Sequence, residues 1–128
     1  MKILILGIDG YIGWPLACHL KGLGHEVSGV DNWFRRRASK SLIPIQTTDK
    51  RGARFKIQRV DIHNLIGIKP DIDVVVHPAE QPSAAYSMKS FSNAEYTQYT
   101  NVIGTLNVLW LMKKYCPEAH LVKLGSMG

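Results

Sequence analysis

Residues 7–13 read Gly-Ile-Asp-Gly-Tyr-Ile-Gly and follow an aliphatic run, so a buried strand is expected to turn sharply into a helix here. Such a turn leaves the first N–H groups of the helix without acceptors and exposes its positive dipole end, which together make a site for a diphosphate. The three glycines do different things. Gly7 permits the tight turn, Gly10 lets phosphate approach a backbone without a Cβ, and Gly13 lets the helix pack closely on the strand. The turn residues Gly7, Asp9, Gly10, Tyr11, Ile12 and Gly13 are therefore the first candidates for holding a dinucleotide. Asp31, 24 residues after Gly7, is the next, with Asn32 beside it. A carboxylate there can accept hydrogen bonds from both ribose hydroxyls of an adenosine, and its charge repels a 2′-phosphate, which favours NAD over NADP. Arg35, Arg36 and Arg37 lie just beyond and could either stack on adenine or neutralise a 2′-phosphate. Asp61 and Ile62 would lie beside the adenine edge, although Asp61 reads equally well as an ordinary turn-initiating residue. The plainer alternative is a glycine triplet that serves only a tight turn; a strand, a helix and an acid all in register weigh against it.

The elements needed to position these groups are legible along the chain. Residues 2–7 form a continuous aliphatic run ending in glycine, as expected of a parallel strand buried on both faces. In the following helix, Ile12, Leu16, Leu20 and Leu23 make one apolar stripe, Pro15 falls near the first turn, and Gly24 supplies a left-handed stop. Further strands are predicted at 26–31, 54–61, 73–77 and 120–125, and a long helix over 91–116, where Val102, Leu106, Leu109 and Lys113 recur at helical spacing. Strand alternating with helix gives an α/β fold, a Rossmann-type doubly wound parallel sheet of about five strands in a single domain over 1–128. About ten residues separate the third and fourth strands, so the crossover between them has room for one or two helical turns at most. Residues 35–53 show no clear period and read as a loop.

Composition excludes several classes. With 45% hydrophobic and 20% charged residues, and no apolar run near the ~20 residues that span a bilayer, the chain reads as a soluble cytoplasmic domain without a membrane partner. Cys18 and Cys116 are far apart and read as free thiols, and the five histidines show no zinc spacing, so no metal is expected. The net charge of +6 suits a phosphate-bearing partner, and no nucleic-acid-binding motif accompanies the arginines.

With GIDGYIGWPLACHL, VDNWFRRR, HPAEQPSAAYSM, NVIGTLNVL and HLVKLGSMG in order, the chain resembles the extended short-chain dehydrogenase/reductases, the NAD-dependent sugar-nucleotide epimerases and dehydratases, and within them the UDP-sulfoquinovose synthases. The resemblance covers only the amino-terminal part of that family's length, so the sheet is expected to be truncated before its sixth strand and substrate domain. It implies hydride transfer from C4 of a UDP-hexose to NAD, loss of water across C5 and C6, addition of sulfite and return of the hydride. Ser126 matches the family's serine or threonine beside the sugar 4-hydroxyl, the implied catalytic group; standing alone, it would be a strand-end cap. Ala79, Glu80 and Gln81 would border the cofactor, while Ser83, Tyr86, Ser87 and Met88 would lie nearer the sugar. Asn101 matches an asparagine that bends the long helix.

The departures are as specific. The family's Tyr-x-x-x-Lys pair is absent, Tyr86 with Lys89 being the nearest approach, and Pro82 stands where the sulfoquinovose enzymes carry arginine. The expectation is a chain that binds NAD without turning over substrate, the alternative being a non-catalytic dinucleotide-sensing or scaffold module that reuses the fold. A sheet ending at the fifth strand leaves an edge, and with Trp110 and Met112 on the long helix as a contact surface a homodimer is expected.

Overall fold

A computed structural model describes residues 1–38, 47–67 and 71–125. Strand β1 (Lys2–Leu6) lies at the centre, and its alternation decides both cores. Ile3 and Ile5 point to one face, where they meet Ala17, Val27, Phe55 and Val76. Leu4 and Leu6 point to the other, against Val30, Leu65, Val75, Val108, Leu111 and Met112. A strand is apolar at successive positions when both its faces are covered, and this is what the uninterrupted ILIL run at 3–6 encodes, Lys2 standing exposed at its start.

From β1 the chain passes through helix α1 (Gly13–Gly22) to β2 (Glu26–Asp31), then through a single helical turn α2 (Phe34–Ala38), with β3 (Lys56–Arg59) next in the order of strands. It returns across the sheet by a 3-10 segment, Ile62–Gly67, to β4 (Val74–His77), so the third crossover is as short as its length required. The short helix α3 (Ala84–Ser87) follows, then α4 (Phe91–Gln98), a π-helical turn at Tyr99–Ile103, α5 (Gly104–Tyr115) and β5 (His120–Lys123). All described strands pair in parallel, in the order β3-β2-β1-β4-β5. Between β1 and β4 the direction of winding reverses, and the crevice of a doubly wound sheet opens there, beyond the carboxyl ends of the strands.

Three expectations change. In α1 the stripe is displaced: Gly13 and Ala17 are buried, Leu16 and Leu20 pack beside them, and Ile12 and Leu23 at its ends are exposed. In the long helix the repeat Val102, Leu106, Leu109 faces solvent, whereas Gly104, Val108, Leu111 and Met112 face the core. Met112 is thus 8% exposed and Trp110 59%, so the two residues expected to share a contact surface lie on opposite sides. Helical spacing alone cannot tell a core face from an exposed apolar one. Of the loop expected over 35–53, residues 35–38 belong to the helix Phe34–Ala38, and 39–46 lie outside the described residues. Gly24 has φ +88 and Pro15 lies in the first turn of α1, both as expected.

His77, wholly buried at the end of β4, couples the sheet to α5. Thr105 Oγ1 donates to the Asn101 carbonyl (2.7 Å), so its lone pair accepts from His77 Nε2 at 3.2 Å, leaving Nδ1 bare and the ring neutral. Burial, and then the charge of Lys123, push its pKa from 6.5 down to about 4. An unfolded chain therefore binds one more proton than the folded one between those values, and stability falls as pH drops through that window. The loss should be roughly 3 kcal/mol. Thermal melts at pH 7 and pH 4.5 should show a lower Tm in acid, with the difference reduced in His77→Gln; an equal difference in both proteins would reject this role.

Candidate functional site

The carboxyl ends of β1, β2 and β4 enclose a cleft of about 660 Å³. Gly7 leaves β1 with φ +86, a value that glycine adopts without strain, and a Cβ there would stand 3.1 Å from the Ala79 Cα on the opposite wall. Gly13 is the tighter constraint: a Cβ on it would come within 2.9 Å of Ile8 Cα and collide with the Gly7 carbonyl. This is the close packing of helix on strand that its spacing called for. At Gly10 a Cβ would lie 3.0 Å from the Gly7 oxygen, which already accepts the Gly10 N–H, so an internal contact adds to the reason for glycine there.

The head of α1 is open. No side chain caps it, and among the described residues the Tyr11 and Ile12 amides have no protein acceptor. Uncapped N–H groups at a helix start attract an anion. Asp31 faces this turn: Oδ2 accepts the Asp9 N–H at 2.9 Å and Oδ1 accepts the Trp33 N–H at 2.7 Å. Burial raises its pKa, an effect that those two amides oppose and the nearby Asp9 charge reinforces. Trp33 takes φ +55, uncommon for a bulky residue, and Asn32 Oδ1 accepts the Phe34 N–H at 2.8 Å. These successive side-chain turns reverse the chain after β2 and bring α2 over the glycine loop. There Arg35 Nη2 donates to the Asp9 carbonyl at 2.9 Å, and the Arg36 guanidinium forms a two-point ion pair with the Asp9 carboxylate.

The opposite wall is the loop after β4. The π turn places Asn101 against it: Asn101 Oδ1 accepts the Gln81 N–H at 2.8 Å and Nδ2 donates to the Gln81 carbonyl at 3.2 Å. Glu80 pairs with Lys123 from β5. Ser83 caps α3 by accepting the Tyr86 N–H.

Of the candidates read from sequence, Gly7, Asp9, Gly10, Tyr11, Ile12, Gly13, Asp31, Asn32, Arg35, Ile62, Ala79, Glu80, Gln81, Ser83 and Tyr86 all line this one cleft. Arg36, Asp61 and Asn101 stand behind it. Arg36 is held by Asp9, Asp61 Oδ2 accepts from Asn32 Nδ2 at 2.9 Å, and Asn101 holds Gln81. Met88 is 85% exposed, and neither it nor Ser87 lines the cleft. Ser126 lies outside the described residues. Sequence reasoning missed Phe34, Tyr96 and Thr100. Phe34 stacks on Tyr96 with centroids 4.7 Å apart and meets Tyr86 edge-on at 5.5 Å, joining the β2 and β4 loops; no local spacing announces a contact between such distant positions. Asp9 and Arg36 were both found, but not as a pair.

A doubly wound sheet with a glycine turn, an uncapped helix head and an acid ending β2 defines a dinucleotide-binding fold of the short-chain dehydrogenase/reductase kind. The chain belongs to the NAD dependent epimerase/dehydratase family, whose sequence profile matches residues 3–128. It is 40% identical to the chloroplastic UDP-sulfoquinovose synthase of Spinacia oleracea, over 99% of this chain and 30% of that one. It is 39% identical to the UDP-sulfoquinovose synthase of Sulfolobus acidocaldarius, over 100% of this chain and 37% of the other. The chain therefore spans about a third of the length of these curated relatives. A UDP-glucuronic acid 4-epimerase from Bacillus cereus, in complex with UDP-4-deoxy-4-fluoro-glucuronic acid and NAD, superposes with a TM-score of 0.70 at 27% identity, over 96% of this chain and 39% of that one. Pal from Bacillus thuringiensis shares the fold with a TM-score of 0.74 at 23% identity, over 96% of this chain and 38% of that one.

Because the Gly13 contact is made to backbone, no rotamer change relieves it. Gly13→Ala should destabilise the protein by about 1–3 kcal/mol in urea unfolding. An unchanged midpoint would show that the turn yields.

Proposed function

We propose that this chain is the NAD-binding portion of an enzyme acting on a nucleotide sugar, of the UDP-sulfoquinovose synthase kind. The observation that carries the reading is the Asp31 carboxylate, held by two backbone amides at the rim of a cleft whose floor is an uncapped helix head. These residues fit a dinucleotide: the free amides of Tyr11 and Ile12 suit a diphosphate, and Asp31 suits a ribose diol. Ile62 and Asn32 would flank the adenine side, and Ala79, Glu80 and Gln81 the nicotinamide side. The chemistry that NAD supplies when bound is reversible acceptance of a hydride.

The chain's own part is to bind and to orient. Asn101 holds the Gln81 backbone and Lys123 pairs with Glu80, so protein contacts alone position the wall that would face the nicotinamide. Ser83 and Tyr86 would face a UDP-hexose from within the cleft, and the family resemblance gives Ser126 the role of sharing the proton that moves at its 4-hydroxyl. Pro82 offers no charge where the sulfoquinovose enzymes carry arginine, so this chain would need another cation to hold sulfite. The two unpaired thiols suit a reducing compartment, the cytoplasm.

The exposed apolar face of the long helical segment, Tyr99, Val102, Leu106, Leu109 and Trp110, supports a homodimer, as does β5 at an edge of the described sheet.

Titration calorimetry should show NAD binding, weakened ~10–100-fold in Asp31→Ala, since hydrogen bonds to a charged group contribute about 1.5–3 kcal/mol. No heat at millimolar NAD would refute the cofactor assignment. Light scattering should give a dimer that Trp110→Glu converts to monomer; a monomeric wild type would refute the association.

A further inference from the structure

We infer that Asp9 is a cofactor-selectivity residue: its carboxylate engages the Arg36 guanidinium at two points and so withholds that arginine from a ribose 2′-phosphate. The inference rests on the dinucleotide reading above and deepens it. Arginines placed just after the acid at the end of β2 would ordinarily be open to two uses, adenine stacking or phosphate binding. The structure separates them. Arg36 donates from Nε to Asp9 Oδ2 and from Nη2 to Asp9 Oδ1, the latter at 2.6 Å. Arg35 donates from Nη2 to the main-chain oxygen of the same residue at 2.9 Å. One loop residue thus engages both guanidinium groups.

Burial gives the arrangement its force. Asp9 is 7% exposed and the Arg36 side chain 16%, so water screens the pair poorly, and turning Arg36 toward a phosphate would leave a buried carboxylate without its partner. The local charges also balance: Asp9 and Asp31 carry two negative charges, Arg35 and Arg36 two positive ones. A phosphomonoester, with a charge of about −1.5 to −2, would meet no net attraction there. Removing the Asp9 charge would leave the group with a net positive charge and would loosen the hold on the Nε and Nη2 donors that Asp9 now engages, a pair suited to phosphate. Asp31 repels a 2′-phosphate directly, whereas Asp9 removes the group that could have overcome that repulsion.

The test uses the full chain and two probes, NAD and NADP, titrated into wild type, Asp9→Asn, Arg36→Gln and the double variant. Asparagine keeps the shape and one acceptor while removing the charge. Wild type should prefer NAD, and Asp9→Asn should raise NADP affinity relative to NAD by tenfold or more. Adding Arg36→Gln should cancel that gain. A ratio within twofold of wild type in Asp9→Asn, or a gain that survives the loss of Arg36, overturns the inference. Arg36→Gln alone leaves the Asp9 charge unpaired, so NADP affinity relative to NAD should fall; a ratio that rises or does not move would mean that this pair has no influence on the 2′ position, which overturns the inference even if Asp9→Asn does not fold. Absence of NAD binding in wild type removes the cofactor reading and this inference together, whereas NAD binding with an unmoved ratio removes this inference alone.

Discussion

Asp31 Oδ2 accepts the Asp9 N–H while Oδ1 accepts the Trp33 N–H, so one side chain ties the glycine turn to the reversal that follows β2. Much of the cleft depends on that bridge. It consumes the Asp9 amide, the Gly10 amide donates to the Gly7 carbonyl, and among the described residues the amides that follow, Tyr11 and Ile12, have no protein acceptor. It stabilises a positive φ at Trp33, which turns α2 back over the loop and carries Arg35 and Arg36 to Asp9. Two donated hydrogen bonds favour the ionised form of a carboxyl group that burial alone would push toward neutrality. A buried carboxylate without those donors would be costly, so the site and the local fold are a single arrangement.

The opposite wall is held by different means. A π turn at Tyr99–Ile103 shifts the helix register, and Asn101 then grips Gln81 from both its donor and its acceptor ends. Thr105, one turn further on, receives His77 and donates back to the Asn101 carbonyl, linking β4 to the same bend. π turns place an extra residue in a helix and are frequent where a side chain must be aimed. Phe34, Tyr86 and Tyr96 close the contact between the two walls, so the cleft is bounded by packing as well as by charge.

The glycine turn, the central strand and the acid at the end of β2 were legible because each is a local signal. A run of aliphatic residues needs two covered faces, a positive φ favours glycine, and a fixed offset sets an acid at a strand end. The brevity of the third crossover was also legible, since chain length bounds how much helix can form. The two long amphipathic patterns were misleading for one shared reason. Ile12 and Leu23, like Val102, Leu106 and Leu109, sit at helical spacing, yet small residues mark the true inner faces: Gly13 and Ala17 in α1, Gly104 in α5. Close approach of a helix to a sheet selects small side chains, and a stripe of large ones can equally face outward.

By itself the sequence determined the parallel sheet, the glycine turn and the carboxylate at its rim, because those follow from backbone sterics and from periodicities within a few residues. Tertiary structure alone decided which charges meet: Arg36 could not be assigned to Asp9, nor Lys123 to Glu80, nor Phe34 to Tyr96, until the strands were ordered and the loops brought side by side. Pairing between distant positions depends on where the folded chain puts them, and no spacing along the chain encodes that distance.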